Sequence, residues 1–168
     1  MEFNDVIKNR IAVRKFSSKK VERDKIMQIL EAGRLAPTAK NNQPQKILVV
    51  TEEENLKKID EITPCRYNAP VSLIICSSKS IAWSKDDYSS LEMDASIVTT
   101  HMMLEATNIG VDSIWVMMFD KDLVRDRFNL ENDLFPICML QLGYRADDYV
   151  GSAMHNNRKN LDETVIYL

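Results

Sequence analysis

Two stretches near the start of the chain hold the residues best equipped for chemistry. Arg10 and Arg14 stand four apart in the segment Arg10–Phe16 (RIAVRKF). On a helix, two guanidinium groups at that spacing repel unless an anion lies between them. A phosphate monoester, with a charge of about −1.5 to −2, would satisfy both. A solvated basic turn has the same spacing. Arg158 and Lys159 form a second basic pair, which matters to the first only if the tail folds back to Arg10. The second stretch, Ala36–Pro44 (APTAKNNQP), places Thr38, Asn41, Asn42 and Gln43 in one short loop. Each amide side chain both donates and accepts, so the loop is able to read the edge of a heteroaromatic ring such as a flavin's pyrimidine. Asn and Pro are equally at home in an ordinary turn. Taken together, the two stretches suit a phosphorylated, heteroaromatic cofactor.

Other chemistries find little support. The four glycines, Gly33, Gly110, Gly143 and Gly151, allow neither a G-x-G-x-x-G fingerprint nor a phosphate-binding P-loop. Cys65, Cys76 and Cys138 make no C-x-x-C pair, and Cys76 and Cys138 lie in apolar runs, which predicts buried, reduced thiols. His101, among Met102, Met103 and Leu104, is expected as a satisfied core residue, and His155 in solvent. No metal site and no Ser-His-Asp or Cys-His arrangement is expected. Asp86-Asp87 and Glu52–Glu54 fit solvated faces, and Met93, Met102, Met103, Met117 and Met118 are most simply core filling. A net charge of −3 and 7% aromatics argue against nucleic-acid binding. No apolar run approaches the ~20 residues of a membrane span. The N-terminus lacks a signal layout, which gives a cytoplasmic expectation.

The elements that must position these residues follow from periodicity. At 168 residues and 45% hydrophobic, the chain is expected to form one domain, residues 1–168. Helices are expected at 3–9 (Phe3, Val6 and Ile7 on one face), at 21–35, at 52–62 and, the longest, at 91–108. Pro37 and Pro64 stop the second and third, and Gly110 the fourth. Strands are expected at 46–50, 71–76, 113–118 and 136–142, with a short helix capped by Asp120 after the third. Residues 79–90, with Trp83 and Tyr88, suggest a mobile loop or short helix. A polar tail ends in the apolar Val165–Leu168. The pattern is a helix-rich α+β or three-layer domain.

At this point the chain resembles the nitroreductase family of FMN-dependent oxidoreductases. Arg10–Phe16 is similar to its R-x-S-x-R-x-[FY] opening, and Glu31–Pro44 to its A-x-x-A-P-S-x-x-N-x-Q-P segment. Asp94–Ile97, His101–Ala106 and Gly110 resemble its central helix and turn, and Trp115-Val116 the strand behind the flavin. Leu142–Tyr144 and Arg158–Val165 resemble its closing signatures. Five motifs in register span nearly the whole chain.

The resemblance implies an α+β, three-layer fold with a central mixed sheet flanked by helices, built as an intertwined homodimer with FMN at the interface. Arg10 and Arg14 then match the phosphate-binding cations, joined by Arg158 and Lys159. Pro37, Thr38, Ala39, Asn41 and Gln43 match the loop reaching the flavin from the partner subunit. The backbone of Val116, Met117 and Met118 matches the segment beside flavin N5, and the apolar C-terminus the arm that crosses over. No catalytic side chain is expected, since FMN carries the chemistry, with NADH or NADPH as donor and a small electrophile, a nitroaromatic or quinone, as acceptor. Residues 79–90 are the expected substrate lid. Two positions depart from the pattern: Ala12 stands where a Ser is usual, and Met117-Met118 where a Gly is usual. They keep two alternatives open, a non-catalytic flavin-binding or redox-sensing dimer and a branch with another FMN-linked reaction such as dehalogenation.

Overall fold

The computed structural model describes residues 1–168. Helix α1 (Phe3–Asn9) is followed by an extended segment, then α2 (Arg23–Arg34), β1 (Gln45–Val50) and α3 (Glu53–Ile62). β2 (Val71–Ser78) leads into two short strands, β3 (Ser84–Lys85) and β4 (Tyr88–Ser89). The long α4 (Leu91–Asn108), β5 (Asp112–Val116), α5 (Lys121–Phe128) and β6 (Leu134–Gly143) complete the body. The tail holds only two 3-10 turns, Ala153–Asn156 and Leu161–Glu163.

The main sheet has strand order β1-β2-β6-β5, and every adjacent pair is antiparallel. Its parallel component is a single bridge from Ala12 to Ser113, which makes the sheet mixed. β2 is buried along its whole length, so it shows a continuous apolar run rather than an alternation. β6 carries Pro136 in a central strand, where a missing N–H would break the ladder. The register with β2 shifts there: Ile75 faces Cys138 and Cys76 faces Pro136, so Ile137 bulges out.

Two cores flank the sheet. On one side α2 and α4 cover Leu73, Ile75, Leu140 and Leu142. On the other, α3 and α5 cover Ile74, Cys76, Met139 and Val116. α2 presents Ile26, Ile29 and Gly33 at helical spacing. Gly33 lets α4 come close: a Cβ there would lie 2.8 Å from Met102 Cγ. α3 buries Leu56, Ile59 and Ile62, its expected stripe. Asp120 caps α5 as expected, accepting from the Asp122 and Leu123 amides. Burial pushes the thiols up to about 12 for Cys76 and about 11 for Cys138, so both stay protonated at neutral pH.

Several sequence expectations need correction. Residues 79–90 are neither helix nor featureless loop: they form a small hairpin, closed by Ser84–Ser89 and Lys85–Tyr88 pairing and by edge contact of Trp83 with Tyr88. The third strand ends at Val116, leaving Met117 and Met118 beyond it. Only Val6 of the α1 face is buried; Phe3 and Ile7 are exposed. His101 is exposed on α4 rather than in the core, and its Nδ1 lies 2.9 Å from the Ile97 carbonyl. Cys65 is only half-buried. Met93, Met117 and Met118 are exposed rather than core filling.

Gly143 ends β6 against two rings. A Cβ there would lie 2.7 Å from Pro70 Cδ and 2.8 Å from Phe16 Cδ1. Neither ring has an easy way to yield, so Gly143→Ala should destabilise the fold by about 1–3 kcal/mol. Gly151→Ala, whose Cβ meets only Ile11 Cδ1 at 3.9 Å, should be nearly neutral. Urea unfolding of the two variants side by side checks the pair.

Candidate functional site

The Arg10–Phe16 segment is not helical. Arg10 is the extended residue that ends α1, and the segment is held by the Ala12–Ser113 bridge and by a Phe16–Arg145 bridge. In an extended chain, residues four apart lie about 13 Å apart. Arg10 and Arg14 are therefore not neighbours by backbone geometry, and they have different surroundings. The Tyr67 hydroxyl is pushed above its ordinary range by its hydrogen bond to Cys65 and by burial, with Arg14 close enough to oppose them. Arg10 is half-buried and faces Arg158.

The tail is what brings that second cation in. It runs back along the N-terminal segment in reverse order. The Ala146 amide donates to the Lys15 carbonyl at 3.0 Å, and Asp148 pairs with Lys15. The Tyr149 hydroxyl donates to the Ala12 carbonyl at 2.7 Å. His155 Nε2 lies 3.1 Å from the Lys8 carbonyl at the end of α1, so it is docked rather than loose in solvent. Arg158 follows, its guanidinium donating only to the Met154 and Asn157 carbonyls.

Burial first, and then the charge of Arg158, disfavours the charged form of Arg10. A guanidinium nevertheless stays protonated in proteins. Arg10 makes no side-chain hydrogen bond, and neither Arg10, Arg14, Arg158 nor Lys159 is in an ion pair. Lys15, Lys19 and Lys25, nearby in sequence, each find a carboxylate, as most of the other lysines do not. Arg10 is half-buried and Arg158 exposed; a partly buried cation beside a like charge, with no counter-ion, is costly until an anion arrives.

The polar loop is a built structure as well. Lys40, Asn41 and Gln43 all have positive φ, at 53°, 55° and 52°. Non-glycine residues seldom adopt this left-handed region, so the surroundings must hold it. Asp94 does much of that. It is 2% exposed, accepts the Ala39 amide at 2.8 Å, and takes the Ser90 hydroxyl on its other oxygen at 2.7 Å. Thr38 Oγ1 accepts the Gln43 amide at 3.0 Å, and Gln43 Nε2 donates to the Asn41 carbonyl at 3.2 Å. Asn42 Nδ2 ties the loop to the hairpin through the Ile81 carbonyl at 2.9 Å. Asn41 is left exposed, and Pro37 leads into the loop.

The third group follows β5. Met117 and Met118 are 64% and 61% exposed, and their backbone amides donate to no acceptor in the chain. Trp115 Nε1 lies 3.2 Å from Met117 Sδ. The structure thus brings Arg158 toward Arg10, gathers Pro37, Thr38, Ala39, Asn41 and Gln43, and leaves the Met117-Met118 backbone open just past Val116, which is itself buried and paired with Met139. No hydrogen bond or ion pair connects the first group to the second within one chain. Lys159 is exposed, and nothing in the fold brings it to Arg10. Two supports escaped the sequence: Asp94, whose signal is an acid inside an apolar helix, and Tyr149.

The model of the Nitroreductase family matches residues 7–66 and 63–144, which include the loop and the open backbone segment. The chain belongs to the nitroreductase family. Among solved structures it is similar to a nitroreductase family protein from Clostridium difficile 630: the two are 35% identical, with a TM-score of 0.93 over 99% of this chain and 98% of that one. A Methanothermobacter thermautotrophicus protein, provisionally named an NADH dehydrogenase/NAD(P)H nitroreductase, is 27% identical over 88% of this chain and 80% of its own. The fold is also that of an FMN-dependent nitroreductase from Clostridium difficile R20291, with a TM-score of 0.76 at 24% identity, covering 92% of this chain and 97% of that one. For a nitroreductase-family chain, Ala12 offers a methyl group and a carbonyl already taken by Tyr149.

Asp94 is the test of how the loop is held. Asp94→Ala leaves the buried Ser90 hydroxyl and the Ala39 amide without their acceptor. It should cost about 1–3 kcal/mol, and amide exchange at residues 39–43 should accelerate well beyond any global change.

Proposed function

We propose that this chain is an NAD(P)H-dependent FMN oxidoreductase of nitroreductase type, acting as a homodimer with the cofactor at the subunit interface. The observation that carries the proposal is that the docked tail brings Arg158 to the side of the half-buried Arg10, with no counter-ion for either. A phosphate monoester suits paired guanidinium groups in charge and in geometry. The rest of the donor set fits FMN too. The open amides of Met117 and Met118 suit the N5 edge of an isoalloxazine, and the Thr38–Gln43 loop suits its pyrimidine edge.

The surface of the chain supports the dimer. Apolar residues are spread around α4 rather than along one stripe, and Met93 is left exposed. A helix without a single apolar stripe has apolar surface to cover on more than one side. Ile166, Tyr167 and Leu168 end the chain fully exposed, as an arm reaching for a second copy would be. The loop and the cations are not joined within one chain, which suits a site completed by two.

Bound FMN supplies the redox chemistry, carrying a hydride equivalent from NAD(P)H to a small electrophile such as a nitroaromatic or a quinone. Arg10 and Arg158 anchor the phosphate. The amides of Met117 and Met118, fixed before the reaction, meet negative charge gained by the ring at little reorganisation cost. The exposed Met117 and Met118 side chains would narrow the space over that edge. The turn before the hairpin of residues 84–89 is tied to the loop through Asn42 and the Ile81 carbonyl, so the hairpin would serve as a cover.

Purified protein should bind FMN and oxidise NADH or NADPH with a quinone acceptor. Protein that stays colourless after FMN is added contradicts the proposal, and bound flavin without turnover favours a non-catalytic binder. Arg10→Ala removes a charge-assisted contact of about 1.5–3 kcal/mol and should weaken FMN binding about ten- to a hundredfold. Ala12→Ser should tighten it. Flavin fluorescence titration measures both.

A further inference from the structure

The open amides after β5 have a fixed backing on the other side of the chain. Thr63 follows α3 in an extended conformation and is 1% exposed. Its hydroxyl donates to the Met118 carbonyl at 2.6 Å and accepts the Cys65 amide at 3.0 Å, so it is used in both directions. One residue earlier, the Ile62 carbonyl accepts the Asp120 amide at 3.1 Å. The end of α3 therefore grips the tripeptide Met118–Asp120 at both ends. Asp120 is in turn fixed as the cap of α5, and Phe119 packs against the α3-side core.

We propose that Thr63 is a positioning residue for the redox step. By holding the Met118 carbonyl from behind, it fixes the backbone on which the Met117 and Met118 amides are presented to the flavin edge. This rests on the FMN proposal above. Fixed donors stabilise developing negative charge because they need not reorganise when it appears. Released donors still bind the oxidised ring but answer its reduction less well. Thr63 touches neither the phosphate cations nor the polar loop, so its loss should separate cofactor grip from cofactor tuning.

Thr63→Val keeps the shape and removes the hydroxyl. In the cofactor-free protein, amide exchange at Phe119 and Asp120 should accelerate. In the FMN-loaded protein, FMN affinity should change by less than about twofold, the flavin midpoint potential should become more negative, and reduction by NAD(P)H should slow about tenfold. Thr63→Ser should restore all three. Thr63→Cys, a weaker donor of similar size, should show the same losses in smaller measure, and it carries the test if Thr63→Val does not fold. A wild-type potential and reduction rate in the variants overturn the Thr63 assignment while leaving the FMN proposal intact. FMN affinity lost in step with the rate also overturns it, by making Thr63 merely structural. Wild-type protein that binds no FMN at all instead removes the proposal beneath it.

Discussion

Two guanidinium groups lie near one another without an anion, and much of the molecule serves to put them there. Arg10 ends α1 in an extended turn and is half-buried. Arg158 comes in on a tail that is laced, contact by contact, along the segment after α1. Folding alone gains nothing from that closeness, since burial and like charge both work against Arg10. On the FMN proposal, that cost would be recovered when a dianionic group binds. The tail's attachment is then part of the site rather than an appendix to it.

The other two groups share this character of structure prepared in advance. Three left-handed residues in one loop are held by a buried aspartate from α4. Two backbone amides are left open just past the end of β5, with a threonine and a helix end behind them. In each case the exposed polar edge is mobile by nature and is made rigid by a buried partner from a different element. The two-sided sheet supplies that rigidity. One core braces α4, and with it Asp94; the other braces α3, and with it Thr63.

The body of the fold was legible in the sequence because its elements carry strong periodicity. α2 and α3 lie where their apolar spacing and proline stops put them, α4 lies where its length and glycine stop put it, and the buried strands show as apolar runs. The hairpin at 84–89 was illegible: its strands are two residues each, too short to alternate. The family motifs name residues but not how the fold relates them. Helical spacing pairs Arg10 with Arg14, but the segment is extended, and the docked tail carries Arg158 toward Arg10 from 148 positions away along the chain. Asp94 and Thr63 are single polar residues whose importance is in what they hold, and no local pattern reveals that.

The most direct measurement compares FMN with riboflavin, which share a ring and differ in the phosphate. If Arg10 and Arg158 exist to meet an anion, FMN should bind at least about a hundredfold more tightly at low salt, on the order of 3 kcal/mol. That advantage should shrink as salt screens the site. Equal affinities for the two flavins, unchanged by ionic strength, would contradict the account.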